Sequence, residues 1–338
     1  MKPILGLKRE PKADNIAADT VADAVVEGGG QETPEQGATK ALPRDETQAP
    51  EIRSVRPIRK AVITAGGLGA EFLPATKAQP KEMLPIINTP VIQLVVEEAV
   101  EAGITDIIII IGKGKRAIED HFDRSFELEY ELKRRGMVEM LHQVNRLHQL
   151  ADIHFIRQND AAGLGAAILR ARDHCGDEPF AVLLGDTVVT PSNFTKKLMD
   201  LYAQEACPII GACEVAKDDV SRYGIIAGEP VTGDAQGTLR VTDLVEKPSP
   251  AEAPSTMAIA GRYILTPDIF DALAQTRRDR SGQVQLTDAL AGIAKKQKVL
   301  ARVLDGKRYD IGSRKDYVQA VVDFARKDPQ YRDIVGSE

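Results

Sequence analysis

Ile63-Thr-Ala-Gly-Gly-Leu-Gly-Ala-Glu-Phe-Leu-Pro-Ala-Thr-Lys-Ala-Gln-Pro-Lys-Glu-Met-Leu84 is a glycine-rich turn running into an extended loop that carries two lysines. The β-branched run that begins at Lys60 and reaches Ile63 reads as a strand, and Gly66, Gly67 and Gly69 follow at its end. Without Cβ atoms there, a ligand can come close to the backbone, and N–H groups freed by the turn can cradle phosphate oxygens. Pro74 and Pro80 stiffen the following segment, in which Lys77 and Lys81 supply positive charge. The stretch therefore reads as a nucleotide site at the end of a strand, which points to an α/β fold.

Two commoner phosphate motifs are excluded by spacing. Phe72 stands where a dinucleotide loop has its third glycine, and Gly163-Leu-Gly165 is likewise incomplete. Gly112-Lys-Gly-Lys115 lacks both the glycine spacing and the terminal Ser/Thr of a P-loop. A tight strand-to-helix turn with no ligand is the plain alternative for residues 66–69.

Working outward, residues 1–57 contain no aromatic residue and are rich in Ala, Glu, Thr, Pro and Gly. Such a composition does not bury enough apolar surface to offset ordering entropy, so a disordered N-terminal tail is expected there. From residue 58 to about 330 the texture changes to alternating apolar strands and amphipathic helices, with a short tail at 331–338. The expected architecture is Rossmann-like: a mainly parallel mixed sheet flanked by helices.

Within that domain, strands are expected over 60–65, 107–111, 153–157, 180–184, 209–214, 241–246, 258–265 and 299–304. Helices are expected over 90–102, most of 117–150, 166–172, 267–275, 285–296 and 315–326. The five consecutive isoleucines from Ile107 suit a central strand buried on both faces.

The chain is 43% hydrophobic and 28% charged, so 338 residues can bury a sizeable core. Its formal charge of −6 offers no global attraction for nucleic acid or an anionic membrane. No run approaches the roughly 18 apolar residues of a membrane span, and residues 1–7 are too short an apolar stretch for a secretory signal. Cys175, Cys207 and Cys213 are odd in number and make no metal-ligand pattern with the histidines, which fits a reduced cytoplasmic setting.

Asp186 follows the aliphatic run 181–184, at the carboxyl end of a strand where ligands gather in open α/β sheets. A carboxylate there can hold a divalent cation against phosphate, or it can simply cap a turn.

The loop through Leu84 closely resembles the signature of the bacterial UTP-glucose-1-phosphate uridylyltransferases, within the sugar-1-phosphate nucleotidyltransferases. The resemblance runs over about residues 59–327. It implies a nucleotide-diphospho-sugar transferase fold and Mg²⁺-dependent transfer of a uridylyl group from UTP to glucose 1-phosphate, giving UDP-glucose and pyrophosphate. It places Ala65, Gly66, Gly67, Leu68, Gly69, Lys81, Gln158 and Gly163 on the nucleotide. Gly224, Glu246 and Lys247 fall on the sugar phosphate, and Asp186 and Asp310 on the metal. Lys81, Asp186 and Lys247 would carry catalysis. A homodimer or homotetramer is implied as well.

Three positions depart from that pattern. The family has Thr-Arg where this chain has Ala70-Glu71, His where it has Ala166, and Glu where it has Gln283. Glu71 puts an anion where the arginine assists at the triphosphate. A regulatory homologue that keeps the fold and binds UDP-glucose or a partner subunit is the alternative this raises, since some close paralogues lacking Thr-Arg look regulatory. A transferase for another sugar 1-phosphate is a further alternative.

Overall fold

The computed structural model describes residues 55–160, 162–234 and 237–336. The expected tail at 1–57 lies almost wholly outside them. These described residues belong to one compact unit.

The first half is built of strand-helix-strand units. Strand β1 (Lys60–Ala65) leads through three single 3₁₀ turns and a small hairpin, β2 (Pro85–Ile86) with β3 (Thr89–Pro90), into helix α1 (Val91–Glu101). Helix α1 buries Val91, Ile92, Val95, Val96 and Ala99 on one face. Gly103, at φ 98°, turns the chain after it.

Strand β4 (Asp106–Ile111) pairs in parallel with β1 on one side and with β5 (Asp152–Arg157) on the other. Its isoleucines alternate: Ile107, Ile109 and Ile111 enter one core, and Ile108 and Ile110 the opposite one. Each is worth about 1.5–3 kcal/mol when fully buried, which commits this strand to the sheet interior. The charged stretch between β4 and β5 folds as α2 (Arg116–Phe122), α3 (Phe126–Arg134) and α4 (Val138–Leu147).

After β5 come α5 (Leu164–Leu169) and the single turn α6 (Arg172–Cys175), where one helix over 166–172 was expected. The earlier start follows from Gly163, whose φ of 95° lets the chain turn directly into the helix. Strand β6 (Phe180–Leu184) then pairs in parallel with the other flank of β1.

Beyond β6 the sheet becomes mixed. Helix α7 (Phe194–Glu205) and β8 (Ile209–Glu214) precede the antiparallel pair β9 (Gly224–Pro230) and β10 (Thr238–Glu246). Strand β11 (Met257–Leu265) runs antiparallel to both β6 and β8 and so joins the halves. Helices α8 (Asp268–Gln275) and α9 (Leu286–Ala294) cover one face, and β12 (Leu300–Val303) lies parallel to β8. The nine-stranded order is β5-β4-β1-β6-β11-β8-β12-β10-β9.

Besides the β2–β3 hairpin, a second two-stranded ribbon stands apart from this sheet. Strand β7 (Thr187–Thr190) pairs antiparallel with β13 (Lys307–Asp310) as a two-stranded ribbon. A third core of Ile86, Val91, Val188, Tyr309, Ile311 and Ala320 fixes the ribbon against α10 (Arg314–Lys327), and α11 (Arg332–Val335) is a closing turn. Ser313 caps α10 by accepting the Asp316 N–H. Among the described residues, no helix is long and apolar enough to cross a membrane.

Candidate active site

The carboxyl ends of β1, β4 and β6 converge where an open α/β sheet holds its ligands. A cavity of about 480 Å³ opens there, lined by Gly66, Gly67, Leu68, Gly69, Glu71, Lys81, Gln158, Gly163 and Asp186 among others. Ala65 is buried as the last residue of β1 and lies behind this wall. Lys77 lines a neighbouring cavity with Lys113 and Lys115.

Gln158 follows β5 and is 9% exposed, so its amide is held at the cavity wall rather than in bulk water. At Gly163 a side chain has no room: a Cβ would fall 2.7 Å from the Val284 carbonyl oxygen. Segment 283–284 therefore packs directly on the turn, and Gln283 joins the wall.

A second cavity of about 320 Å³ is lined by Arg222, Tyr223, Gly224, Glu246, Lys247, Thr287 and Asp310, and shares Leu164, Leu184, Asp186 and Gln283 with the first. Glu246 ends β10, and its Oε2 accepts a hydrogen bond from the Thr287 hydroxyl at 2.6 Å. Lys247 takes a left-handed φ of 46° just past the strand, with its N–H donating to the Tyr223 carbonyl at 3.0 Å. Its ammonium is 3.7 Å from Glu246 Oε1 and more than half exposed, so it is available to an incoming anion. A Cβ on Gly224 would sit 2.8 Å from Thr287 Oγ1 and 3.2 Å from Glu246 Oε2, so only glycine leaves this floor open. The strands expected from the sequence do not include this segment, yet residues 224–230 form strand β9, paired with β10 through Gly224 opposite Glu246.

Asp186 and Asp310, 124 positions apart, are brought together by the ribbon. The Ile311 N–H donates to the Asp186 carbonyl at 2.8 Å, and Thr187 lies opposite Asp310 in the β7–β13 register. Asp310 Oδ1 accepts from the Gly312 N–H at 2.9 Å. Its Oδ2 accepts from Arg222 at 3.1 Å and from the Tyr223 hydroxyl at 3.2 Å. No group of three or more candidate metal-ligating side chains occurs among the described residues. Two hard carboxylates beside space for phosphate oxygens and water nevertheless suit a divalent cation that completes its shell from substrate.

Lys81 sits in the 3₁₀ turn Lys81–Met83, and its ammonium lies 2.6 Å from Asp186 Oδ2. Burial disfavours that ammonium, but Asp186, with smaller contributions from Glu71 and Glu82, outweighs it and holds the pKa above the usual 10.5. Lys81 is therefore a fixed positive charge at neutral pH.

The adjacent Glu82 is 1% exposed and meets Lys115 Nζ at 2.6 Å. Burial pushes the Glu82 carboxyl above its usual 4.5, against the opposing pull of Lys115. This pair anchors the lysine loop to the start of α2. Sequence spacing gave no sign of it, nor of Arg222 and Thr287, because each partner lies on a distant segment.

Glu71 lies on the wall of the first cavity, in a single 3₁₀ turn, and its backbone carbonyl accepts from Arg314 Nε at 2.6 Å. Phe72 beside it packs edge-on to Tyr317, with ring centroids 5.5 Å apart. The turn that carries the unusual Ala70-Glu71 pair is thus fastened to α10 by its backbone and by Phe72.

Residues 60–327 match the nucleotidyl transferase family. The chain is similar to a UTP–glucose-1-phosphate uridylyltransferase of Bacillus subtilis strain 168, at 49% identity over 282 residues, covering 82% of this chain and 95% of the relative. Among solved structures it is similar to a UDP-glucose pyrophosphorylase complexed with UDP-glucose, with TM-score 0.72 and 40% identity over 80% of this chain and all of that one. It is also similar to the UTP-bound enzyme from Acinetobacter baumannii, with TM-score 0.74 and 34% identity over 83% of this chain and all of that one.

Proposed function

The chain belongs to the nucleotidyl transferase family, among the UTP–glucose-1-phosphate uridylyltransferases, and from that membership we propose how its own residues carry the reaction. It transfers a uridylyl group from UTP to glucose 1-phosphate, giving UDP-glucose and pyrophosphate. The observation that carries this reading is the convergence of two cavities on Asp186: one beside the glycine turn, which we give to the nucleotide, and one beside Glu246 and Lys247, which we give to the hexose phosphate.

UTP lies along residues 66–69, with Gln158 and Gly163 at the base and Lys81 on the phosphates. The sugar sits over Gly224. Glu246 accepts from vicinal hydroxyls, and Lys247 holds the sugar phosphate as a compact point charge. The sugar phosphate attacks the α-phosphorus in line and pyrophosphate leaves from the opposite side. Proton transfer and covalent capture by the protein are not needed, so catalysis is positioning and charge stabilisation. Asp186 and Asp310 would hold a divalent cation, which we take to be Mg²⁺; when bound it neutralises phosphate charge.

Two features support the proposed setting and assembly. Cys175 and Cys207 are free, buried, and pushed by burial up to about 12 and about 11, so they stay as inert thiols, in keeping with a cytoplasmic protein. Phe126, Tyr130, Val138 and Met140 expose apolar surface on α3 and α4, which supports a homodimer or homotetramer. Light scattering on the purified protein decides the assembly.

Glu71 on the nucleotide-side wall supports a second reading, a catalytically weak regulatory homologue. Pyrophosphate release from UTP and glucose 1-phosphate with Mg²⁺, measured beside UDP-glucose binding, separates the two. Turnover carries the transferase; tight binding without turnover carries the regulatory protein.

A further inference from the structure

Arg262, in β11, is wholly buried yet is used by none of the steps above. Its Nε lies 3.1 Å from both Glu98 oxygens and its Nη2 2.7 Å from Glu98 Oε2. The same Nη2 donates to the Thr187 carbonyl at 2.7 Å, and Nη1 to the Gly261 carbonyl at 3.1 Å. Glu98 is steadied in turn by the Thr195 hydroxyl, which donates to Oε1 at 2.5 Å.

The Thr187 carbonyl belongs to the residue directly after Asp186, at the root of the ribbon that also carries Asp310. That ribbon shares no ladder with the nine-stranded sheet. Polar ties join it to β11 at two places: Arg262 reaches out to Thr187, and Arg308 of the ribbon reaches back to the Ile259 carbonyl at 3.1 Å. A buried ion pair is weak support for stability, because desolvation consumes most of its attraction. A planar fork that binds a carboxylate and a backbone carbonyl together does have a use in fixing geometry, and a lysine cannot reproduce it.

We propose that Arg262, oriented by Glu98 and Thr195, is a positioning residue that sets the Asp186–Thr187 backbone so that the Asp186 carboxylate meets the divalent cation. This rests on the reading that Asp186 holds the cation. Arg262 acts through the backbone of the ribbon and touches neither nucleotide nor sugar.

The test titrates Mn²⁺ into the protein–UTP complex by water-proton relaxation, beside UTP affinity in EDTA and thermal melting. Arg262→Lys keeps the charge and loses the fork. The double variant Arg262→Met with Glu98→Met removes both buried charges together, so the core is not left with an unpaired ion. Both are expected to melt cooperatively and to bind Mn²⁺ about 10-fold more weakly, the lower end of the usual effect of losing a group that orients a metal ligand, with UTP affinity in EDTA changing less than about twofold. A folded variant with wild-type Mn²⁺ affinity overturns the proposal. If both variants fail to fold, Thr195→Val decides, since it loosens only Glu98: a smaller weakening of Mn²⁺ supports the proposal, and none overturns it. Asp186→Asn separates the underlying reading. Unchanged Mn²⁺ affinity there removes Asp186 from the cation site, whereas weakened affinity there with a wild-type Arg262→Lys sinks the positioning role alone.

Discussion

Lys81 Nζ and Asp186 Oδ2, one from the loop after β1 and the other from the end of β6, lie 2.6 Å apart at the boundary shared by the two cavities. The lysine is thereby held at the wall of the cavity proposed for the nucleotide, and the aspartate has a positive partner within the chain itself. If the reacting phosphate lies where we propose, part of its charge balance is built into the chain.

Removing that aspartate changes the lysine. The Lys81 pKa is raised, so its contribution to stability is full below the unfolded value of 10.5 and is lost only as pH climbs through the folded value. In Asp186→Asn, burial persists while the main raising partner is gone, so the pKa falls. UTP affinity in EDTA, followed from about pH 8 to about pH 10, is expected to decline at lower pH in the variant than in the parent. Superimposable profiles would mean the contact does not control Lys81.

The buried Glu82–Lys115 pair predicts a pH signature in stability. Glu82 has a folded pKa above its usual 4.5, so its contribution is greatest below that value and declines as pH rises through the folded pKa. Lys115→Met removes the group that opposes this shift and moves the window upward. Thermal melting should show a loss of about 3–5 kcal/mol near neutral pH, with partial recovery towards about pH 5. A loss independent of pH would place the damage in packing rather than in the charge of Glu82.

Lys247 and Lys81 are assigned to opposite substrates. Lys247→Ala is expected to raise the KM for glucose 1-phosphate by about 10- to 100-fold, the range for a hydrogen bond to a charged group, while the KM for UTP changes little. Steady-state kinetics with each substrate varied in turn gives the answer. A steeper effect on UTP would exchange the two subsites.

Glu71 is the residue whose chemistry runs against the site. Replacing Ala70 by Thr and Glu71 by Arg together should raise turnover by at least about 10-fold if the carboxylate suppresses the reaction, since one recovered donor commonly contributes more than that. UDP-glucose affinity, measured by calorimetry, should move less, because the new cation faces the triphosphate. An unchanged rate in an already active parent would show that another cation supplies the charge.

Local signals in the sequence are enough to locate the strands whose ends meet at the first cavity. The isoleucine run of β4 suits an interior strand, and the glycines after β1 mark a sharp turn. The motifs around Gly224, Glu246 and Lys247 are legible in the sequence, but the expected strands do not include β9, whose seven residues end in Gly228-Glu-Pro230. The expected helices do not include α7, although Phe194, Leu198, Leu201 and Tyr202 show helical spacing. The ribbon had no comparable signal. Four residues of β7 make sense only beside four residues of β13, and no pattern near Thr187 announces a partner at Asp310. The same holds for Arg262 and Glu98, 164 positions apart, whose pairing is a product of tertiary packing.

Because one carboxylate of the ribbon is made early and the other near the end of the chain, the order of synthesis bears on when the protein can work. A nascent chain that has emerged as far as Ala301 holds the glycine turn, Lys81, Asp186, Glu246 and Lys247, and most strands of the large sheet. It has neither β13 to lie beside Thr187 nor α10 to cover that strand. Every residue lining the first cavity is then already in the chain, whereas the second still lacks Arg308 and Asp310, so the place proposed for the sugar and the cation is finished only when the last strand docks.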